Sequence, residues 1–162
     1  MHNVFVSYCH RLDQDEADEF RRKFAIDKEC FSDRSLSGDI GYLSDETIKN
    51  NYIKPKIKTS SVTIVLIGKE TSKRWWIDWE IYYSLRRGDY NERNGLLGIY
   101  LPNKEHNIPD RLSMNTVEEH KMGKIIYMPN TKTELEQAIE DVYQYRFHGT
   151  PDLSMKLRVR NS

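Results

Sequence analysis

The stretch SKRWWIDWE, residues 72–80, holds Trp75, Trp76 and Trp79, all three tryptophans of the chain, within five positions and closes on a carboxylate, Glu80. A single carboxylate beside aromatic plates can stabilise positive charge that develops on a reacting group. The plates can stack flat rings and exclude water, which strengthens that electrostatic effect. At about 100° per residue, Ile77, Ile81 and Leu85 share one narrow stripe, which predicts the core face of a helix. Trp76, Trp79 and Tyr83 form the neighbouring arc. Glu80 projects between the two, on one side with Trp76 four residues before it. The bland readings are a densely packed helix, an aromatic subunit interface and a solvated glutamate. Helix geometry alone leaves both kinds of reading open.

The elements around this helix decide what it can reach. Residues 3–8, NVFVSY, read as a first strand, and the next helix carries Ala17, Phe20 and Phe24 at helical spacing behind an acidic first turn. ECFSD, residues 29–33, reads as a short second strand, followed by a loop with Gly38 and Gly41. Ser44 is placed to cap a helix that Pro55 must end or restart. SVTIVLIG, residues 61–68, is an almost unbroken apolar, β-branched run that suits a parallel strand buried on both faces. GLLGIYL and GKIIYM, residues 95–101 and 123–128, predict two more strands. A last helix opens on the capping box Thr131 with Glu134 and ends at Gly149 and Pro151.

Strand and helix alternate, so the expected fold class is α/β: a single flavodoxin-like domain over residues 1–149, with a frayed tail over 150–162. The expected sheet is five-stranded and mostly parallel, in the order 2-1-3-4-5, with helices on both faces. In that order the winding reverses between strands 1 and 3, and ligands bind there, outside the strand C-termini. The loop after strand 1 and the segment leading into the tryptophans then flank one cleft.

Lys plus Arg (25) balances Asp plus Glu (25), so charge argues against nucleic acid or a membrane surface as partner. Cys9 and Cys30 are too few for a disulfide framework, and their spacing matches no zinc motif. The N-terminus lacks the basic and apolar regions of a signal peptide, and no run approaches a membrane span, so a cytoplasmic protein is expected.

VFVSY, SSVTIVLIG, SKRWWIDWEI and GLLGIYL, in this order, resemble the TIR-like proteins of the Thoeris anti-phage defence system, the ThsB type, over about residues 3–128. The spacing from Trp76 to Glu80 is that of the helix bearing the catalytic glutamate in NAD-consuming TIR domains. The resemblance therefore implies a TIR-like fold, NAD as substrate rather than cofactor, cleavage at the nicotinamide–ribose bond and no metal. It further implies a cyclic ADP-ribose isomer that signals to a separate effector, a phage-derived trigger, and sites completed by self-association. Glu80 is then the catalytic residue. Ser7, Tyr8, Cys9 and His10 lie in the loop after strand 1 where such enzymes hold the ligand, and Trp76 beside Glu80 supplies a stacking surface. This family region often carries arginines, whereas here YCHR brings Arg11 one step later. Asp33 ends strand 2, where TIR enzymes keep an acid near the ribose; a turn-forming aspartate reads the same way. His10 reads equally as a surface residue, and Ser7 as a strand end.

Rival classes can be weighed on the same residues. A phospho-receiver needs an acidic pair after strand 1 and an acceptor aspartate after strand 3, where this chain has YCH and GKE. A dinucleotide oxidoreductase needs G-x-G-x-x-G after a strand, and none follows. A non-enzymatic TIR-like interaction module is the stronger alternative, because fold does not fix function.

Overall fold

The computed structural model describes residues 2–25, 42–86 and 92–160. Among the described residues four parallel strands build the sheet: β1 (Val4–Ser7), β2 (Val62–Ile67), β3 (Gly95–Tyr100) and β4 (Gly123–Tyr127). Their order is β1-β2-β3-β4, with Ser7 opposite Val65 and Ile67 opposite Tyr100. This corrects the expected five strands in the order 2-1-3-4-5. The strand expected at 29–33 lies outside the described residues, together with Cys30, Asp33, Gly38 and Gly41. That run has only Cys30 and Phe31 as apolar members, too short a pattern to define a strand by itself.

Helices cover both faces, which is why β2 is buried along its whole length. On one face α1 (His10–Phe24) and α6 (Lys132–His148) pack on Val4, Val6, Ile64, Leu66 and Leu97. On the other, α4 (Trp75–Ser84) and α5 (Asp110–Met114) place Ile77, Ile81 and Leu112 on Val65, Ile67 and Leu96. Gly95 lets α6 approach β3 closely: a Cβ there would stand 2.0 Å from the Val142 carbonyl oxygen.

Local signals account for the helix ends. Thr131 Oγ1 accepts from the Glu134 amide at 3.2 Å, and Glu134 Oε2 accepts from the Asn130 amide at 2.9 Å. Ser44 Oγ accepts from the Thr47 amide and caps α2 (Asp45–Thr47). A π-helical turn, Ile48–Ile53, then leads into α3 (Lys54–Lys58), which Pro55 opens near its start. Pro55 restarts the helix here, since its missing N–H is harmless in a first turn.

The last segment departs from the frayed tail expected over 150–162. Residues 150–160 lie against the body of the domain: Arg158 donates its amide to Asp78 at 3.0 Å and Arg160 its guanidinium to the Leu43 carbonyl at 2.9 Å. The contacts run largely through main-chain groups, which leave no apolar period in the sequence.

Candidate active site

Helix α4 is apolar nearly all round, the pattern of a helix buried on several sides. Ile77 and Ile81 face the sheet, as the stripe predicts. Trp79 faces the other way, into a separate cluster with Ile48, Ile53 and Ile57, and its indole N–H donates to the Arg158 carbonyl at 2.7 Å. Trp75 stacks edge-on against Trp79 at 4.7 Å, and Trp76 bridges the two clusters. The crowded tryptophans thus serve packing first: they fill the space between α4, the α2–α3 segment and the C-terminal segment.

Glu80 is brought to the C-terminal end of β1. Ser7 Oγ donates to its Oε1 at 2.7 Å, and the residue is 1% exposed. Burial pushes the Glu80 carboxyl up to about 8, against the opposing effects of the Ser7 hydrogen bond and the Lys56 charge. A carboxyl in this state is mostly protonated at neutral pH and takes up charge when a cation comes close. The Trp76 indole N–H points at the Tyr8 carbonyl, 3.5 Å away, so the tryptophan also reaches the loop after β1.

The structure therefore gathers Ser7, the Tyr8 main chain, Trp76 and Glu80. The Tyr8 side chain turns away into the α1–α6 core, where its hydroxyl donates to Gln14 at 3.1 Å. Cys9 is buried at the N-terminus of α1 with a free thiol. His10 lies partly exposed, its ring tilted over that of Tyr8 at 4.2 Å. Asp33 lies outside the described residues.

Three buried charged residues escape sequence reasoning. Asp13 of α1 is buried at the end of β2, held by Lys104 at 2.6 Å. A Cβ at Gly68 would fall 2.5 Å from its Oδ2, so Gly68 gives Asp13 its space. Asp78 and Arg111 form a buried pair on the side of α4 away from Glu80, with Nε to Oδ1 at 2.8 Å and a second bond at 3.2 Å. A cleft of about 350 Å³ opens on that side, lined by Ser72, Arg74, Asp78, Arg111 and Lys156 among others; neither Ser7 nor Glu80 lines it. The acidic first turn of α1 signals a helix start, but nothing local ties Asp78 to Arg111.

Among the described residues no group of three or more His, Cys, Asp or Glu is placed to hold a metal ion, and no helix is long and apolar enough to cross a membrane.

A parallel sheet covered on both faces, with a buried carboxyl at the C-terminal end of its first strand, defines a three-layer α/β domain. Residues 5–106 match the family described as Thoeris protein ThsB, TIR-like domain. The match spans more than half of the sequence, and the chain belongs to this family. It takes in β1 to β3 and α4, and ends before α5, β4, α6 and the C-terminal segment.

Proposed function

We propose that this protein cleaves the nicotinamide–ribose bond of NAD during anti-phage defence. It then closes the ADP-ribose into a cyclic isomer that signals to a separate effector, with Glu80 as the catalytic carboxylate. The observation that carries this reading is the junction of Glu80 with Ser7 at the sheet end, bordered by Trp76, in a chain of the ThsB TIR-like family.

The chemistry suits a lone carboxyl. The nicotinamide ring of NAD is already a pyridinium cation, so the C1′–N bond breaks with its electron pair going to the ring and nicotinamide leaves neutral. No general acid is needed, unlike ordinary glycoside hydrolysis with its two carboxyl groups. Positive charge passes from the ring to the ribose, where an ionised Glu80 in a low-dielectric site stabilises it most. The approaching pyridinium favours the ionised form and so lowers the raised pKa. A hydroxyl of the same ADP-ribose then gives a lone pair to C1′ and its proton to Glu80. A carboxyl whose proton affinity lies near neutral pH suits that transfer. Trp76 offers a ring face and keeps water from competing for the cation.

One observation favours a non-enzymatic interaction module: Glu80 is almost fully buried and already partnered by Ser7, as a structural glutamate would be. Glu80→Gln separates the two readings, because it keeps the shape and the Ser7 hydrogen bond but removes the charge. The full-length chain is incubated with NAD, alone and in lysate of phage-infected cells, and nicotinamide and cyclic product are followed by mass spectrometry. The enzymatic reading expects release by wild type, at least about 100-fold less from Glu80→Gln, and kcat/KM rising with pH towards a plateau above about 8. Equal product from both proteins, or full phage protection by cells carrying Glu80→Gln, overturns it in favour of the module.

A further inference from the structure

Helix α4 is held from two sides. Asp78 and Glu80 are two residues apart, about 200° around the helix axis, so they point in nearly opposite directions. Glu80 meets Ser7 of β1. Asp78 takes the fork of Arg111 from α5 and the amide of Arg158 from the C-terminal segment. Arg111 is 1% exposed and donates two further N–H groups to the carbonyls of Met155, at 3.0 Å, and Lys156, at 2.8 Å. Trp79 donates to the Arg158 carbonyl, Arg158 donates to the Ser72 carbonyl at 2.7 Å, and Leu157 packs on the Trp79 cluster.

We propose that Asp78 and Arg111 are positioning residues for Glu80: their ion pair fastens the C-terminal segment across α4 and so fixes the helix that presents the carboxyl to the end of β1. A buried ion pair is a weak choice for stability alone, since apolar residues of equal volume often do as well. It is a strong choice for geometry, because the planar guanidinium binds in one orientation and a fully satisfied polar network is rigid. Arg111 and the C-terminal segment both lie beyond the span of the family match, so residues 107–160 complete the support of a site whose other named parts lie within it. The inference rests on Glu80 being the reacting carboxyl, but its geometric half can be tested without turnover.

The test uses full-length protein. Asp78→Asn removes one member of the pair at constant shape, and Trp79→Phe removes one N–H from the same network without changing charge. Asp141→Asn, which breaks the part-buried ion pair between Asp141 of α6 and Lys124 of β4, is the control. Three quantities are read: the titration midpoint of Glu80 by carboxyl NMR, and kcat and KM for nicotinamide release. Ser7 of β1 and Lys56 of α3 act on the carboxyl from the other packed elements and are unchanged in all variants. The expected result is a midpoint lowered by about one pH unit or more in both Asp78→Asn and Trp79→Phe. The kcat of both falls about tenfold or more while KM moves less than about threefold, and Asp141→Asn matches wild type. Arg111→Lys, which lacks the fork, behaves like Asp78→Asn. Wild-type midpoint and kcat in folded Asp78→Asn and Trp79→Phe overturn the proposal. Should Asp78→Asn fail to fold, Trp79→Phe alone decides. Absence of turnover in the wild type both alone and in lysate of phage-infected cells defeats the NAD reading, and the Glu80 midpoint then decides the positioning claim alone.

Discussion

Glu80 is a buried carboxyl whose proton is held well above the ordinary carboxylate range. Its carboxyl sits in a nearly dry place with one hydrogen bond from Ser7, so the charged form is disfavoured and the proton is held to about pH 8. The consequence for stability has a definite sign. In the unfolded chain the group ionises near 4.5, whereas the folded protein keeps its proton up to about 8. The contribution is therefore full below about pH 4.5 and is lost progressively as pH rises through about 8. Glu140, Asp141 and Asp152, whose carboxyls are lowered by hydrogen bonds and nearby charges, act in the opposite sense at lower pH. The difference between wild type and Glu80→Gln isolates the single group. Urea unfolding is expected to show the variant gaining on wild type between pH 5 and 8 by a total on the order of 4 kcal/mol. A difference that stays flat across that range would mean that Glu80 is hydrated and ordinary.

At the scale of elements, close approach of backbones sets the geometry. The β3 strand and α6 meet at Gly95, where there is no room for a side chain against the Val142 carbonyl. Gly95→Ala is expected to push α6 off the sheet and to cost about 2–3 kcal/mol, read as a lowered thermal midpoint. A loss under about 0.5 kcal/mol would show that the two elements do not touch there. Helix α4 shows the opposite strategy, with bulk on every side. Ile77 and Ile81 settle on the sheet, Trp79 on the α2–α3 segment, Glu80 is matched to Ser7 of β1, and Asp78 to Arg111 of α5 and the Arg158 amide of the C-terminal segment. A helix of this kind has little freedom to rotate, so its few polar groups are pre-set.

For the whole molecule, the notable feature is how the chain closes on itself. Residues 150–160 return from the end of α6 to α4 and α2, joining Asn115, Asp78, Ser72 and Leu43 through main-chain and side-chain hydrogen bonds. Such a segment is protected in the native state although it has no regular secondary structure. Trypsin is expected to cut after Lys156 and Arg158 in the native protein at least about tenfold more slowly than in a synthetic peptide of residues 150–162. Equal rates would show the segment undocked.

Much of the scaffold was legible because its causes are local. The apolar run of β2, the Ser44 and Thr131 caps, and the Ile77–Ile81 stripe each need only a few neighbouring residues to declare themselves. Composition and period therefore settled the α/β class, the four strands of the described sheet and the core face of α4, and they placed Glu80 beside the core, but they also predicted five strands in the order 2-1-3-4-5, which the structure corrects. Only the tertiary structure decided that this glutamate is buried on Ser7, 73 positions away, and that Asp78 pairs with Arg111, 33 positions away, and with the Arg158 amide, 80 positions away. Those partners are polar atoms, one of them a main-chain amide, and every residue has the same main chain. No period or propensity can mark which of them will meet; that follows from how the packed elements bring distant segments together.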